Sequence, residues 1–158
     1  MKKKIILICI VAVLVSLSLA GCTDTTQNNN SNKNTDYNSA PWQNETEVRI
    51  PISDLSTTAN FYTYDSDGIS IRYFAVKDKS GSNHVAFDAC DVCYEAKKGY
   101  KQNDNVMTCL NCGQEFLISS IGIENTAGGC WPSYLPMVID DGYIVIKISD
   151  LEAKSYMF

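Results

Sequence analysis

CDVCYEAKKGYKQNDNVMTCLNCGQEF, running from Cys90 to Phe116, holds four cysteines in two CxxC pairs separated by fifteen residues. The spacing C-x2-C-x15-C-x2-C falls within the pattern of zinc sites. Two residues between cysteines let a tight turn aim both sulfurs at one ion. Two such turns complete a tetrahedral four-sulfur shell, which suits zinc or iron. Gly113, directly after Cys112, permits a backbone amide to approach a thiolate. Cys90, Cys93, Cys109 and Cys112 are therefore candidate ligands, and the pattern points to a metal without choosing which one.

Two other chemistries use the same residues. Disulfides form outside the cytoplasm. Five cysteines fall in this part of the chain, however, and a bridge within a CxxC pair closes a small, labile loop. A dithiol oxidoreductase would place Cys90-Asp91-Val92-Cys93 at a helix start, which lowers a thiol pKa. Asp88 and Asp91 oppose thiolate formation there, and no βαβ pattern accompanies the motif. The fifth cysteine, Cys130, lies in Ala127-Gly128-Gly129-Cys130-Trp131-Pro132. Two glycines let that loop approach closely. Cys130 is either an additional ligand or reactive thiol, or a core cysteine packed beside Trp131.

The start of the chain sets its expected location. Met1-Lys2-Lys3-Lys4 is basic, and Ile5 to Ala20 is an apolar run broken only by Ser16 and Ser18. The run is shorter than a spanning helix requires. It reads as a signal peptide over 1–21. Leu19-Ala20-Gly21-Cys22 resembles a bacterial lipobox, with Cys22 lipidated and Cys9 discarded. At least two acyl chains on Cys22 suffice for stable anchoring. Residues 22–46 are rich in Asn, Thr and Ser and nearly devoid of aliphatic side chains. They read as a flexible tether. Residues 47–158 form the folded domain.

Loss of residues 1–21 removes three lysines and no acid, leaving 10 basic and 18 acidic groups and a net charge of −8. That balance argues against binding nucleic acid or anionic head groups. The membrane would be held through lipid alone, on the extracytoplasmic face.

The fold class expected is β-rich (α+β), a small antiparallel sheet domain with short helices. Val48, Ile50 and Ile52 alternate with polar residues. Asn60–Tyr64 and Ile69–Lys77 flank Asp65-Ser66-Asp67-Gly68 and predict a hairpin. That acidic tetrad is a turn, since the remaining EF-hand ligands are missing. His84–Ala89 predicts a strand leading into the first CxxC, and Tyr143–Ile148 follows the turn Asp140-Asp141-Gly142. Cys90–Lys98 predicts a short helix closed by Gly99. Ser149-Asp150-Leu151-Glu152 has the form of a capping box. Ile52-Ser53-Asp54-Leu55 recurs as Ile148-Ser149-Asp150-Leu151, an echo attributable to chance. The single histidine, His84, is a packing or rim residue. One histidine builds neither a blue-copper site nor an HExxH hydrolase, and no C-x-x-C-H haem signature occurs.

Taken together, Gly68-Ile69, Arg72–Val76, Ala86–Tyr94, Lys98-Gly99-Tyr100, Cys109–Gly113 and Gly128–Pro132 resemble the FtrD-like membrane iron–sulfur-containing family. The resemblance extends from about Val48 to Phe158. It implies an extracytoplasmic metal-binding domain with Cys90, Cys93, Cys109 and Cys112 as ligands and Cys130 as a further site residue. The implied cofactor is an iron–sulfur cluster or iron, with zinc as the alternative. The implied partner is a membrane iron-transport or redox system. Larger family members carry several transmembrane helices and further ferredoxin-type cysteine runs. A chain without them reads as an accessory metal-binding or electron-carrying protein.

Overall fold

The computed structural model describes residues 36–40 and 42–158. The signal-peptide region, Cys9, Cys22 and most of the expected tether lie outside these residues. Twelve strands are described in chain order: β1 (Tyr37–Ser39), β2 (Trp42–Gln43), β3 (Glu47–Pro51), β4 (Asn60–Ser66), β5 (Ile69–Lys77), β6 (Asn83–Cys90), β7 (Tyr100–Asn103), β8 (Val106–Cys109), β9 (Glu115–Leu117), β10 (Pro132–Tyr134), β11 (Val138–Asp140) and β12 (Tyr143–Lys147). One α-helix, α1 (Ile148–Glu152), follows β12.

The strands make three sheets, ordered β1-β4-β5-β6-β10, β11-β12-β3-β2 and β7-β8-β9. All described pairings are antiparallel except β1 with β4. The five-stranded sheet is central and buried on both faces. Ile71, Tyr73, Ala75, Val85, Phe87 and Ala89 point to one side and pack with Val48, Ile50, Ile144 and Ile146 of the four-stranded sheet. Phe74, Val76, Ala86 and Cys90 point to the other side and pack with Tyr100, Met107, Cys109 and Phe116 of the three-stranded sheet. This alternation follows from the two-residue period of a strand. Two-sided burial also explains why β5 is apolar at nearly every position from Ile71 to Val76, as strands covered on both faces are.

The hairpin turns follow their sequences. Asp67 and Gly68 have φ of 49° and 83°, and Asp141 and Gly142 have 45° and 79°. Each pair is a two-residue loop with both central residues left-handed, the geometry that suits strand twist.

Two sequence expectations need correction. Cys90–Lys98 is not a helix. Cys90 ends β6, and only Tyr94–Ala96 forms a 3-10 turn, closed by Lys97 in the left-handed region. Ser149 does not cap α1. The helix begins at Ile148 with Lys147 at its N-cap and no side-chain cap. Glu152 instead accepts a hydrogen bond from Ser66 Oγ at 2.9 Å. Two short strands, β1 and β2, precede β3. Tyr37 stacks edge-on with Phe61, and the Arg49 guanidinium lies over Trp42.

The Ile-Ser-Asp-Leu echo occupies equivalent corners. The Ile52 N–H donates to Gly142 O and the Ile148 N–H donates to Thr46 O, both at 2.9 Å, at opposite ends of the β3–β12 ladder. Each copy turns a strand into a short helical segment.

Candidate metal centre

The sulfurs come together where the central and three-stranded sheets meet. Cys90 closes β6 on the face shared with Phe74 and Ala86. Cys109 ends β8 opposite Tyr100 and is buried like Met107, two residues earlier on the same strand. Cys93 and Cys112 follow three residues after each of these, in turns. Cys130 arrives through Gly128 and Gly129, both left-handed at φ 75° and 85°. The next strand, β10, pairs Pro132 with Cys90. A hydrogen bond from Asp91 N–H to Trp131 O (3.0 Å) holds that loop against the first knuckle. Another from Leu110 N–H to Gly99 O (3.0 Å) ties the second knuckle to the segment after the first.

The five cysteines among the described residues are free thiols. Cys90, Cys93 and Cys130 have Sγ atoms within 4.8 Å of one another, and so do Cys93, Cys109 and Cys112. Cys130 Sγ is 3.7 Å from both Cys93 Sγ and Cys112 Sγ. Cys90 and Cys109 are buried, Cys93 and Cys130 are partly so, and Cys112 is exposed. Structure therefore gathers the four expected candidates and Cys130 in one place. Cys130 packs against the second core cluster, as does its neighbour Trp131.

The two CxxC turns are built alike. N–H groups of Val92 and Cys93 donate to the Cys90 sulfur, and those of Asn111 and Cys112 donate to the Cys109 sulfur. Burial raises the Cys90 thiol, but the Val92, Cys93 and Trp131 amides and the Tyr100 hydroxyl bring it down to about 7. Burial pushes Cys109 up to about 11 despite its amides. Cys112 is lowered, chiefly by the Gln114 N–H. Cys130 is raised by burial and by the sulfurs of Cys93, Cys112 and Cys90. The thiols of Cys90, Cys109, Cys112 and Cys130 thus compete for negative charge, and a cation among them removes the competition.

Supporting residues surround this cluster. The Tyr100 hydroxyl is buried and makes no hydrogen bond of ordinary geometry. Its polar neighbour is the Cys90 sulfur, whose thiolate it stabilises. Asp88 is fully buried and accepts hydrogen bonds from Tyr37 Oη and, at 2.6 Å, from Tyr100 N–H. Arg72 Nε lies 3.5 Å from its Oδ2, an ion-pair contact without hydrogen-bond geometry. Burial lifts Asp88 to about 6, against the lowering by these three partners. The carboxylate that reads in sequence as an opponent of thiolates is thus tied to Arg72 and Tyr37. A cavity of about 10 Å³, wide enough for a water-sized group, is lined by Arg72, Asp88, Cys90, Cys93, Cys109 and Asn111. A larger groove of about 460 Å³, which Asp91, Glu124 and Lys154 help to line, contains no sulfur.

The donor set fits a thiolate-bound metal. Buried sulfurs carry amide donors and an unpartnered hydroxyl, which are the groups that steady anionic sulfur. A tetrahedral ion with metal–sulfur bonds of about 2.3 Å sets its sulfurs about 3.8 Å apart. The 3.7 Å separation of Cys93 and Cys130 matches sulfurs that share an ion.

Sequence reasoning identified the cysteines but gave no role at the site to Tyr100, Arg72 or the amides of Val92, Asn111 and Trp131. Backbone donors have no side-chain signature, and Tyr100 carries no ligand chemistry of its own. His84 joins no such group. Its Nδ1 lies 2.9 Å from Ile121 O and its Nε2 lies 3.1 Å from Asp78 Oδ2, as befits a packing residue.

Among the described residues no helix is long and apolar enough to cross a membrane. The family model described as "Membrane iron-sulfur containing protein FtrD-like" matches residues 53–158. Neither a curated protein nor a solved structure matches the chain.

Proposed function

Because the chain belongs to the FtrD-like family of membrane iron–sulfur-containing proteins, we propose that it is a lipid-anchored, extracytoplasmic metal–thiolate protein that serves iron handling or electron transfer at the membrane. The observation that carries this reading is the convergence of five free thiols from three chain segments on one spot. Cys90, Cys93, Cys109 and Cys112 would hold iron or an iron–sulfur cluster, with Cys130 as a further ligand. Iron held there supplies one-electron chemistry, or is itself the cargo. The chain's own part is to orient and shield. Paired amides fix the Cys90 and Cys109 sulfurs, Tyr100 donates toward Cys90, and exposed Cys112 marks the edge open to a partner. Residues 1–22 support attachment through Cys22 with residues 22–46 as the spacer. The partner would be a membrane iron-transport or redox protein, and nucleic acid is not expected.

Protein purified without air tests the metal reading. Iron with labile sulfide and visible absorption supports it. No metal, with the thiols paired, overturns it. A second reading, a zinc-stabilised binding module, is favoured by the 3.7 Å sulfur spacing, and colourless protein holding zinc would select it. Cys22→Ser should release the chain from the membrane fraction and abolish palmitate labelling. Retention with full labelling would remove the anchor.

A further inference from the structure

The metal–thiolate reading leaves open how five sulfurs are shared, and we infer that they form a two-ion centre with Cys93 as the bridging thiolate. The inference rests on that reading. Cys93 belongs to both groups of mutually close sulfurs, so its Sγ lies within 4.8 Å of the other four. A single tetrahedral ion uses four thiolates and strands the fifth. Two groups of three, overlapping at one sulfur, use all five. One ion sits among Cys90, Cys93 and Cys130, and the other among Cys93, Cys109 and Cys112.

Connectivity supports one joined core. Cys130 of the first group lies 3.7 Å from Cys112 of the second, so Cys93, Cys112 and Cys130 are also mutually close and Cys93 is the sulfur common to every such set. Two independent sites would not need that contact. Left-handed Gly128 and Gly129 make the loop that delivers Cys130, and the Asp91 N–H bond to Trp131 O fastens it. Soft ions that accept few ligands suit such three-sulfur pockets.

Cadmium is the probe. Full-length chain carrying Cys9→Ser and Cys22→Ser, reduced and held in detergent without air, is titrated with Cd(II). Native mass spectrometry and sulfur-to-cadmium absorbance are read together. Two ions per chain are expected, with absorbance rising to two equivalents. Cys130→Ser and Cys93→Ser should each retain no more than one ion. Saturation of the parent chain at one ion overturns the shared centre and leaves the metal–thiolate reading standing. Two ions retained by Cys130→Ser also overturn it. No bound ion overturns both readings.

Discussion

Gly99→Ala tests how the two knuckles are held in register. Gly99 sits at φ +67°, and an added Cβ would collide with the Asp88 carboxylate, with Oδ1 only 2.6 Å away. Left-handed backbone alone costs a residue with a Cβ about 1–2 kcal/mol. Relief of the collision requires Asp88 to move, and Asp88 is fully buried between Tyr37, Arg72 and the Tyr100 amide. Loss of one hydrogen bond to that charged group adds about 1.5–3 kcal/mol, for a total of about 2.5–5 kcal/mol. Gly81→Ala is the control, since Gly81 has φ +89° and open space around it. It should lose only the backbone part, about 1–2 kcal/mol. Urea denaturation of both variants, with and without chelator, measures the difference. Asp88→Ala should narrow the gap between them, because the obstacle is then gone. Equal losses for Gly99→Ala and Gly81→Ala in the parent background would refute the reasoning.

Three further outcomes are expected. Tyr100→Phe removes a buried hydroxyl that lacks an ordinary partner, so the metal-free fold should hold or gain stability while metal affinity drops about tenfold, the ~1.4 kcal/mol of one lost donor; competition against a chromophoric chelator reads the affinity. Chelation should lower the midpoint of thermal unfolding, since metal at a thousand times its Kd contributes about 4 kcal/mol to a fold that alone binds it; an unchanged melt would contradict a structural centre. Asp78 is held well below the usual carboxylate range, first by the Ser80 hydroxyl, with His84 and the Ser82 and Ser80 amides adding to it. Its stabilisation is complete above the unfolded carboxylate pKa of about 4 and is lost as pH falls through the lower folded value. Acid titration of stability should therefore be shallower in Asp78→Asn.

The long strands were legible because their residues carry two signals at once. Ile69–Lys77 and Asn83–Cys90 are β-prone, and Asp67-Gly68 and Asp141-Gly142 supply the left-handed pairs that two-residue hairpins need. Tyr100–Leu117 was not legible as a sheet. Its strands are three or four residues long, too short for a period to emerge. Glu95-Ala96-Lys97-Lys98 reads as helix by local preference. Amides turned toward sulfur override that preference and leave Lys97 left-handed. Ser149 fails as a cap because the ladder with β3 extends to Ile148, whose N–H is taken by Thr46 O. The cysteine pairs announced their chemistry by spacing, whereas the role of Cys130 depends on β10 lying beside β6, a contact between distant residues that no local pattern encodes.

The junction of the layers at the sulfurs has a mechanical corollary. Cys90 and Cys93 extend from the central sheet, whereas Cys109 and Cys112 belong to the small outer sheet. Whatever binds them acts as a rivet between the two. With the rivet drawn, the outer sheet keeps its apolar underside and the hydrogen bonds that Tyr100 and Gln102 of β7 make to Asp88, Ala59 and Thr57, and should breathe first. Amide exchange in Val106–Cys109 would then report whether the centre is loaded, from strands that no partner need touch.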